Sequence, residues 1–235
     1  MCYDLGSIGV RMAENTLPDQ TSKLKIYKEL RRAIIMGHSR PGERLEVEEI
    51  AHRYNTSVTP VRDALQMLNQ EGLVAIRPRS GYFITSLTLK QLRDMLEMRK
   101  ILEVAAVERA VQRATPEQLQ QLRTVHAGYT GDDEESYDRY TDENSRFHRL
   151  LAEASGNLKL AESVGHLMDR LARFMVLRHA GKSLEATHLR IVDALAAHDA
   201  EAARRALLED IDTARDAILD EVIEGESDAW NLQGS

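Results

Sequence analysis

Residues 46–84, EVEEIAHRYNTSVTPVRDALQMLNQEGLVAIRPRSGYFI, constrain the fold more than any other stretch of the chain. Val47, Ile50, Ala51 and Tyr54 recur at helical spacing. Asn55-Thr56-Ser57 supplies a turn and an N-cap, and Pro60 suits a first helical turn, where its missing N–H costs nothing. Val61, Ala64, Leu65 and Leu68 then form one inward stripe, which leaves Ser57, Thr59, Arg62 and Gln66 facing out. A short two-stranded hairpin follows, with Arg77, Arg79, Ser80 and Gly81 at its tip. Helix, tight turn, helix and hairpin make a winged helix-turn-helix. The second helix of such a unit enters the major groove by its N-terminal end. The expected DNA contacts are therefore Ser57, Thr59, Pro60, Arg62 and Gln66 on the helix, with Arg77, Arg79, Ser80 and Gly81 on the wing. An arginine at position 62 can meet a phosphate or a guanine edge. Taken alone, it reads equally well as a solvated surface residue.

Before this unit, residues 23–36 place Leu24, Tyr27, Leu30 and Ile34 on one helical face, and Arg40-Pro41-Gly42 is turn chemistry. After Thr88 there is almost no strand signal. Leu89, Leu92, Met95, Leu96, Ile101 and Leu102 recur at helical spacing. Thr115-Pro116-Glu117-Gln118 is a capping box with proline at the first helical position. Breaks are expected at 128–131, near Gly156-Asn157 and at Gly181-Lys182-Ser183, and Asp199 can cap a last helix toward Val222. The expected class is mainly α: a winged helix followed by a bundle of about six helices. The boundaries follow: a flexible arm over 1–20, the winged helix over 21–86, the helical domain over 87–225 and a polar tail over 226–235.

A net charge of −7 looks wrong for a nucleic-acid binder, but it is unevenly spread. Residues 1–86 hold 12 Lys and Arg against 10 Asp and Glu, a net of +2, which leaves −9 on the remainder. Binding DNA needs a local basic surface, not a basic chain. The single cysteine, Cys2, excludes an internal disulfide, which fits a reducing cytoplasm. No apolar run is long enough to span a membrane, and the first 20 residues lack the pattern of a signal peptide.

Several motifs in order resemble the DNA-binding domain of GntR-type bacterial regulators. They are Leu30 to Gly37, Arg40-Pro41-Gly42-Glu43-Arg44-Leu45, Thr59-Pro60-Val61-Arg62-Asp63-Ala64-Leu65 and Glu71-Gly72-Leu73-Val74. Glu48 and Val58 depart from the pattern, since many relatives carry arginine there, so no operator sequence is implied. The second half resembles the all-helical FCD ligand-binding domain of the FadR branch. The carriers are Leu96 to Glu103, Asn144 to Leu151, and His188 to Leu195 followed by Asp199 to Ala203.

This resemblance implies a metal site. The family uses an Asp or Asn with a His four residues on, here Asn144 and His148, which share a helical face. A second family His matches His188, and the last falls on Asp210. Zn or Ni would suit such donors. Isolated histidines are more often surface or hydrogen-bonded core residues, and His38, His52, His126, His166, His179 and His198 take that reading. A small carboxylate effector is expected beside the metal, paired with Arg99 or, less directly, Arg146. The competing role for Arg99 is an ion pair with Glu103. The resemblance further implies a homodimer on pseudo-palindromic double-stranded operator DNA, acting as a metabolite-responsive repressor and not an enzyme. A metal-dependent hydrolase or lyase, and a DNA-binding protein with no effector, are the rival readings.

Overall fold

In the computed structural model, residues 17–125, 134–175 and 182–224 are described. The first unit runs α1 (Leu17–Ile35), β1 (Arg44–Leu45), α2 (Val47–Arg53), α3 (Val58–Gln70), β2 (Val74–Arg77) and β3 (Gly81–Ile84). The second runs α4 (Leu89–Arg113), α5 (Pro116–Thr124), α6 (Glu134–Ala154), α7 (Leu158–Met175), α8 (Lys182–Ala196) and α9 (Ala200–Glu224). The expected bundle of about six helices is present among the described residues. Its expected break at 128–131 and the polar tail lie outside them. The chain enters α1 at Leu17, inside the segment expected as an arm, whose earlier residues also lie outside the described set.

The inward stripe of α3 is fully buried at Val61, Ala64, Leu65 and Leu68. It packs on Ile26, Leu30, Ile34 and Ile35 of α1 and on Val47, Ile50 and Ala51 of α2. Ile26 takes the place expected for Leu24, which is 46% exposed. α3 ends in a Schellman motif: Leu73 N–H donates to the Leu68 carbonyl and Gly72 N–H to the Asn69 carbonyl, each at 3.0 Å. Gly72 holds φ +75°, and a Cβ there would lie 2.9 Å from Cγ of Arg170, so both backbone and neighbour demand glycine.

The expected two-stranded hairpin is present as β2 and β3, and β1 joins it to make a three-stranded antiparallel sheet in the order β1-β3-β2. Arg44 and Leu45 pair with Phe83 and Tyr82, contacts 39 and 37 residues apart along the chain that no local pattern reveals. At the tip, Arg77 pairs with Gly81 and Arg79 carries the turn at φ +62°.

In the helical domain, α4 packs against α6, α7, α8 and α9. Thr88 and Thr115 both form the reciprocal capping box, and the Asp199 carboxylate accepts from Ala202 N–H at 2.9 Å. One core joins Val107, Val111, Phe147, Leu151, Ile191, Leu195, Leu207 and Ile211 across four helices. Ile101, expected in the α4 stripe, is 61% exposed. The two domains share packing: Ala172 of α7 is buried within the core of the winged helix.

Candidate DNA-binding surface and buried polar site

The winged helix presents one polar face. Ser57, Thr59, Arg62 and Gln66 are exposed on α3, beginning at its N-terminus, as expected. Ser57 is the N-cap by backbone geometry, yet its hydroxyl makes no capping hydrogen bond. Pro60 departs from expectation: it is buried, so its role is to start the helix and fill the core, and its side chain offers DNA nothing. Arg77, Arg79 and Ser80 are exposed at the wing. Gly81 is half-buried at φ +107°, where only backbone is presented. Arg77 lies over the Phe83 ring at 4.3 Å, a cation–π contact that stiffens the wing's edge.

The second site is the opposite in character. Arg99 and Glu103 of α4, Asn144 and His148 of α6, His188 of α8 and Asp210 of α9 are all buried to within about 1%. Arg99 donates through Nε to Glu103 at 2.7 Å, and its Nη2 lies 2.8 Å from His148 Nε2 and 3.3 Å from Asp210 Oδ2. A guanidinium has no acceptor, so His148 must accept at Nε2. Its Nδ1–H is then donated to Glu103 Oε2 at 2.6 Å. That is the tautomer a metal-binding histidine requires, with a carboxylate orienting the ring from behind. His188 stacks flat on Phe147, with centroids 3.8 Å apart and planes at 4°, and its Nε2 is 3.7 Å from Asp210 Oδ1.

Electrostatics follow from this enclosure. Burial pushes the His188 imidazole down to about 4. Burial alone would raise Asp210 and Glu103. For Asp210 this is outweighed by His188, His148 and Arg99, and for Glu103 by His148 and Arg99, so both carboxyls sit below the usual range.

Ligating atoms of His148, His188 and Asp210 lie within 4.8 Å of one another. Asn144, one turn before His148, carries a buried side-chain oxygen with no hydrogen-bond partner. An unsatisfied buried oxygen is costly unless something binds it. The donors present therefore fit a divalent ion.

Two sequence expectations part company here. Arg99 makes the ion pair with Glu103 and also borders the ligand set, so its two proposed roles are not exclusive. Arg146 does not reach this cluster: it is exposed on the other side of α6 and lines a cleft between the two domains. Glu103 as the orienting group of His148, and Phe147 as the platform for His188, were not foreseen. Only the Arg99–Glu103 spacing of four residues hinted at either.

The same architecture recurs among known proteins. Residues 22–84 match the model of bacterial regulatory proteins of the gntR family, and residues 94–213 match the FCD domain. The chain belongs to the GntR family, with an FCD domain. A curated relative from Escherichia coli strain K12, HTH-type transcriptional repressor RspR, is 31% identical over 81% of this chain and 86% of its own length. The Nta operon transcriptional regulator of Aminobacter aminovorans is 33% identical over 80% of this chain and 90% of its own. The solved structure of E. coli McbR/YncC superposes with a TM-score of 0.67 at 22% identity, covering 85% of this chain and 98% of that one, which supports the fold. This GntR-family chain is thus a DNA-binding transcriptional regulator and not an enzyme. Regulators of this kind bind operator DNA and small-molecule effectors, the latter through the FCD domain, and FCD domains often bind metal. No described helix is long and apolar enough to cross a membrane.

Proposed function

We propose that this chain is a dimeric, cytoplasmic repressor whose operator affinity is lowered by a small carboxylate or sugar acid bound beside a divalent metal in the FCD domain. The observation carrying the reading is the buried convergence of His148, His188 and Asp210 with the unsatisfied oxygen of Asn144. These four residues would hold the ion, and imidazole, carboxylate and carboxamide donors suit Zn or Ni. When bound, the ion supplies positive charge and open coordination positions for an anionic ligand.

Arg99 is the protein's own contribution to anion binding. Its Nη2 contacts His148 Nε2 and Asp210 Oδ2, two atoms of the ligand set. Arg99 therefore gives up those contacts when the set is engaged, and its planar fork becomes available to a carboxylate. Glu103 holds both Arg99 and His148, so a ligand that draws Arg99 away also perturbs α4 against α6.

On the DNA side, Ser57, Thr59, Arg62 and Gln66 would read the major groove, while Arg77, Arg79, Ser80 and the backbone at Gly81 meet phosphates or the minor groove. A symmetric dimer would require two matching half-sites. The sign of control follows the E. coli relative named as a repressor. Effector and operator are linked, so each lowers the other's affinity by the same factor.

Metal content and thermal unfolding together test the reading. The purified protein should carry about one divalent ion per chain, and His188→Ala should lose it. One member of a panel of carboxylates and sugar acids should raise the midpoint of the metal-loaded protein and weaken its binding to operator duplexes selected from random sequence. Full metal retention in His188→Ala, or operator binding indifferent to every acid, would overturn the effector assignment.

A further inference from the structure

The face of α6 opposite His148 looks onto a separate space. It is an open cleft of about 670 Å³ between α1 and the end of α3 on one side and α6 and α7 on the other. Its charges are unevenly spent. Glu71 accepts from the Tyr27 hydroxyl and from Arg31 Nε, and Asp142 accepts from Arg31 Nη1 at 2.7 Å. Glu29 accepts from Tyr54, and Asp169 pairs with Arg149 at 3.4 Å. Every carboxylate lining the cleft is thus engaged by the protein itself. Lys28 of α1 and Arg146 of α6 line the same cleft, and neither has an ion-pair or hydrogen-bond partner among the described residues.

A second observation points the same way. Ser145 lines this cleft at only 6% exposure, and its hydroxyl oxygen has no hydrogen-bond partner. A buried hydroxyl left unsatisfied is costly, and an acceptor oxygen arriving in the cleft would remove that cost. Two uncommitted cations and one uncommitted donor, drawn from two domains, are the ingredients of an anion site.

We propose that the cleft between α1 and α6 is a second ligand site, taking a small anion that carries a carboxylate or phosphate group, held by Arg146 and Lys28 with Ser145 as a neutral donor. The site is separate from the buried metal set but shares a helix with it. Asn144 and His148 face inward from α6, while Ser145, Arg146 and Arg149 line the outer cleft. An anion here ties the winged helix to the helix that carries two of the metal donors. The protein then has two inputs, one inside the FCD domain and one at its junction with the DNA head.

The test uses the full chain after metal removal by chelation, with inorganic phosphate and succinate as separate probes and ionic strength held constant with chloride. Thermal unfolding should show a saturable rise with at least one probe, roughly 3–6 °C at ten times its dissociation constant. The probe that acts names the ligand chemistry. Arg146 is exposed, so Arg146→Ala should fold normally and lose most of the shift, and Lys28→Ala should reduce it. No shift with either probe, an undiminished shift in Arg146→Ala, or a shift that appears only in metal-loaded protein would each overturn the proposal.

Discussion

The DNA head and the FCD domain each carry a candidate binding arginine, but under opposite physical conditions. Arg62 stands exposed on α3, while Arg99 is sealed at about 1% exposure among Glu103, His148 and Asp210. An exposed cation is available at once to a polyanion and contributes little to stability. A buried one must be neutralised by its neighbours, so breaking that set is costly and any ligand would have to exchange for them. On the proposed roles, recognition and stability would be separable in the head and fused in the helical domain.

The largest effect expected of this contrast is at Glu103. Glu103→Ala removes the acceptor for both Arg99 and His148 and leaves a buried charge short of a partner. It should cost about 3–5 kcal/mol in urea unfolding. A loss below about 1 kcal/mol would break the comparison, because the buried network would then contribute no more than a surface pair.

Acidification comes next. The folded His188 imidazole titrates at about 4 against an ordinary 6.5, so as pH falls the unfolded chain takes up the proton first. Stability from this source is complete above about pH 6.5 and is lost as pH falls toward 4, on the order of 3 kcal/mol in metal-free protein. Below that range the lowered carboxyls of Glu103 and Asp210 add to the loss, since they must be protonated in the unfolded chain first. His188→Asn should flatten the slope between pH 6.5 and 4, and an unchanged slope would remove His188 as its source.

On the exposed side, Arg62→Ala should weaken specific operator binding by about 1–3 kcal/mol in a fluorescence titration. Its unfolding free energy should stay within about 0.5 kcal/mol of wild type. A variant that lost both together would show that the head is as fused as the FCD domain. The smallest effect is expected from Arg79→Ala at the wing. Binding should weaken evenly across sequences, and the salt dependence should drop by about one counterion.

The same contrast governs what could be read from the chain alone. The stripe of Val61, Ala64, Leu65 and Leu68 and the caps at Thr88 and Thr115 are contiguous in sequence, and the structure follows them closely. Motif resemblance brought His148, His188 and Asp210 to one list, and the fold brings them to one buried cluster. Contacts closed over long separations were not legible. β1 pairs with β3, Glu103 orients His148 across 45 residues, and Arg31 of α1 reaches Asp142 of α6 across 111. Pro60 misled because its position in a recognition helix suggested contact, whereas its local role is to begin the helix with an apolar side turned inward. Arg146 misled for a geometric reason: two residues from His148 on a helix is about 200° of rotation, which carries it to the opposite face.

Ala172 sits in the core of the winged helix although it belongs to α7, and Arg170 of the same helix packs its stem on Gly72. The familiar practice of swapping sensory modules between regulators by joining chains at the linker meets an obstacle here. A DNA head cut out at residue 86 would carry a hole in its floor, and a foreign sensor would have to bring its own plug of matching size. Portability in this scaffold is set by one turn of α7 as much as by the linker.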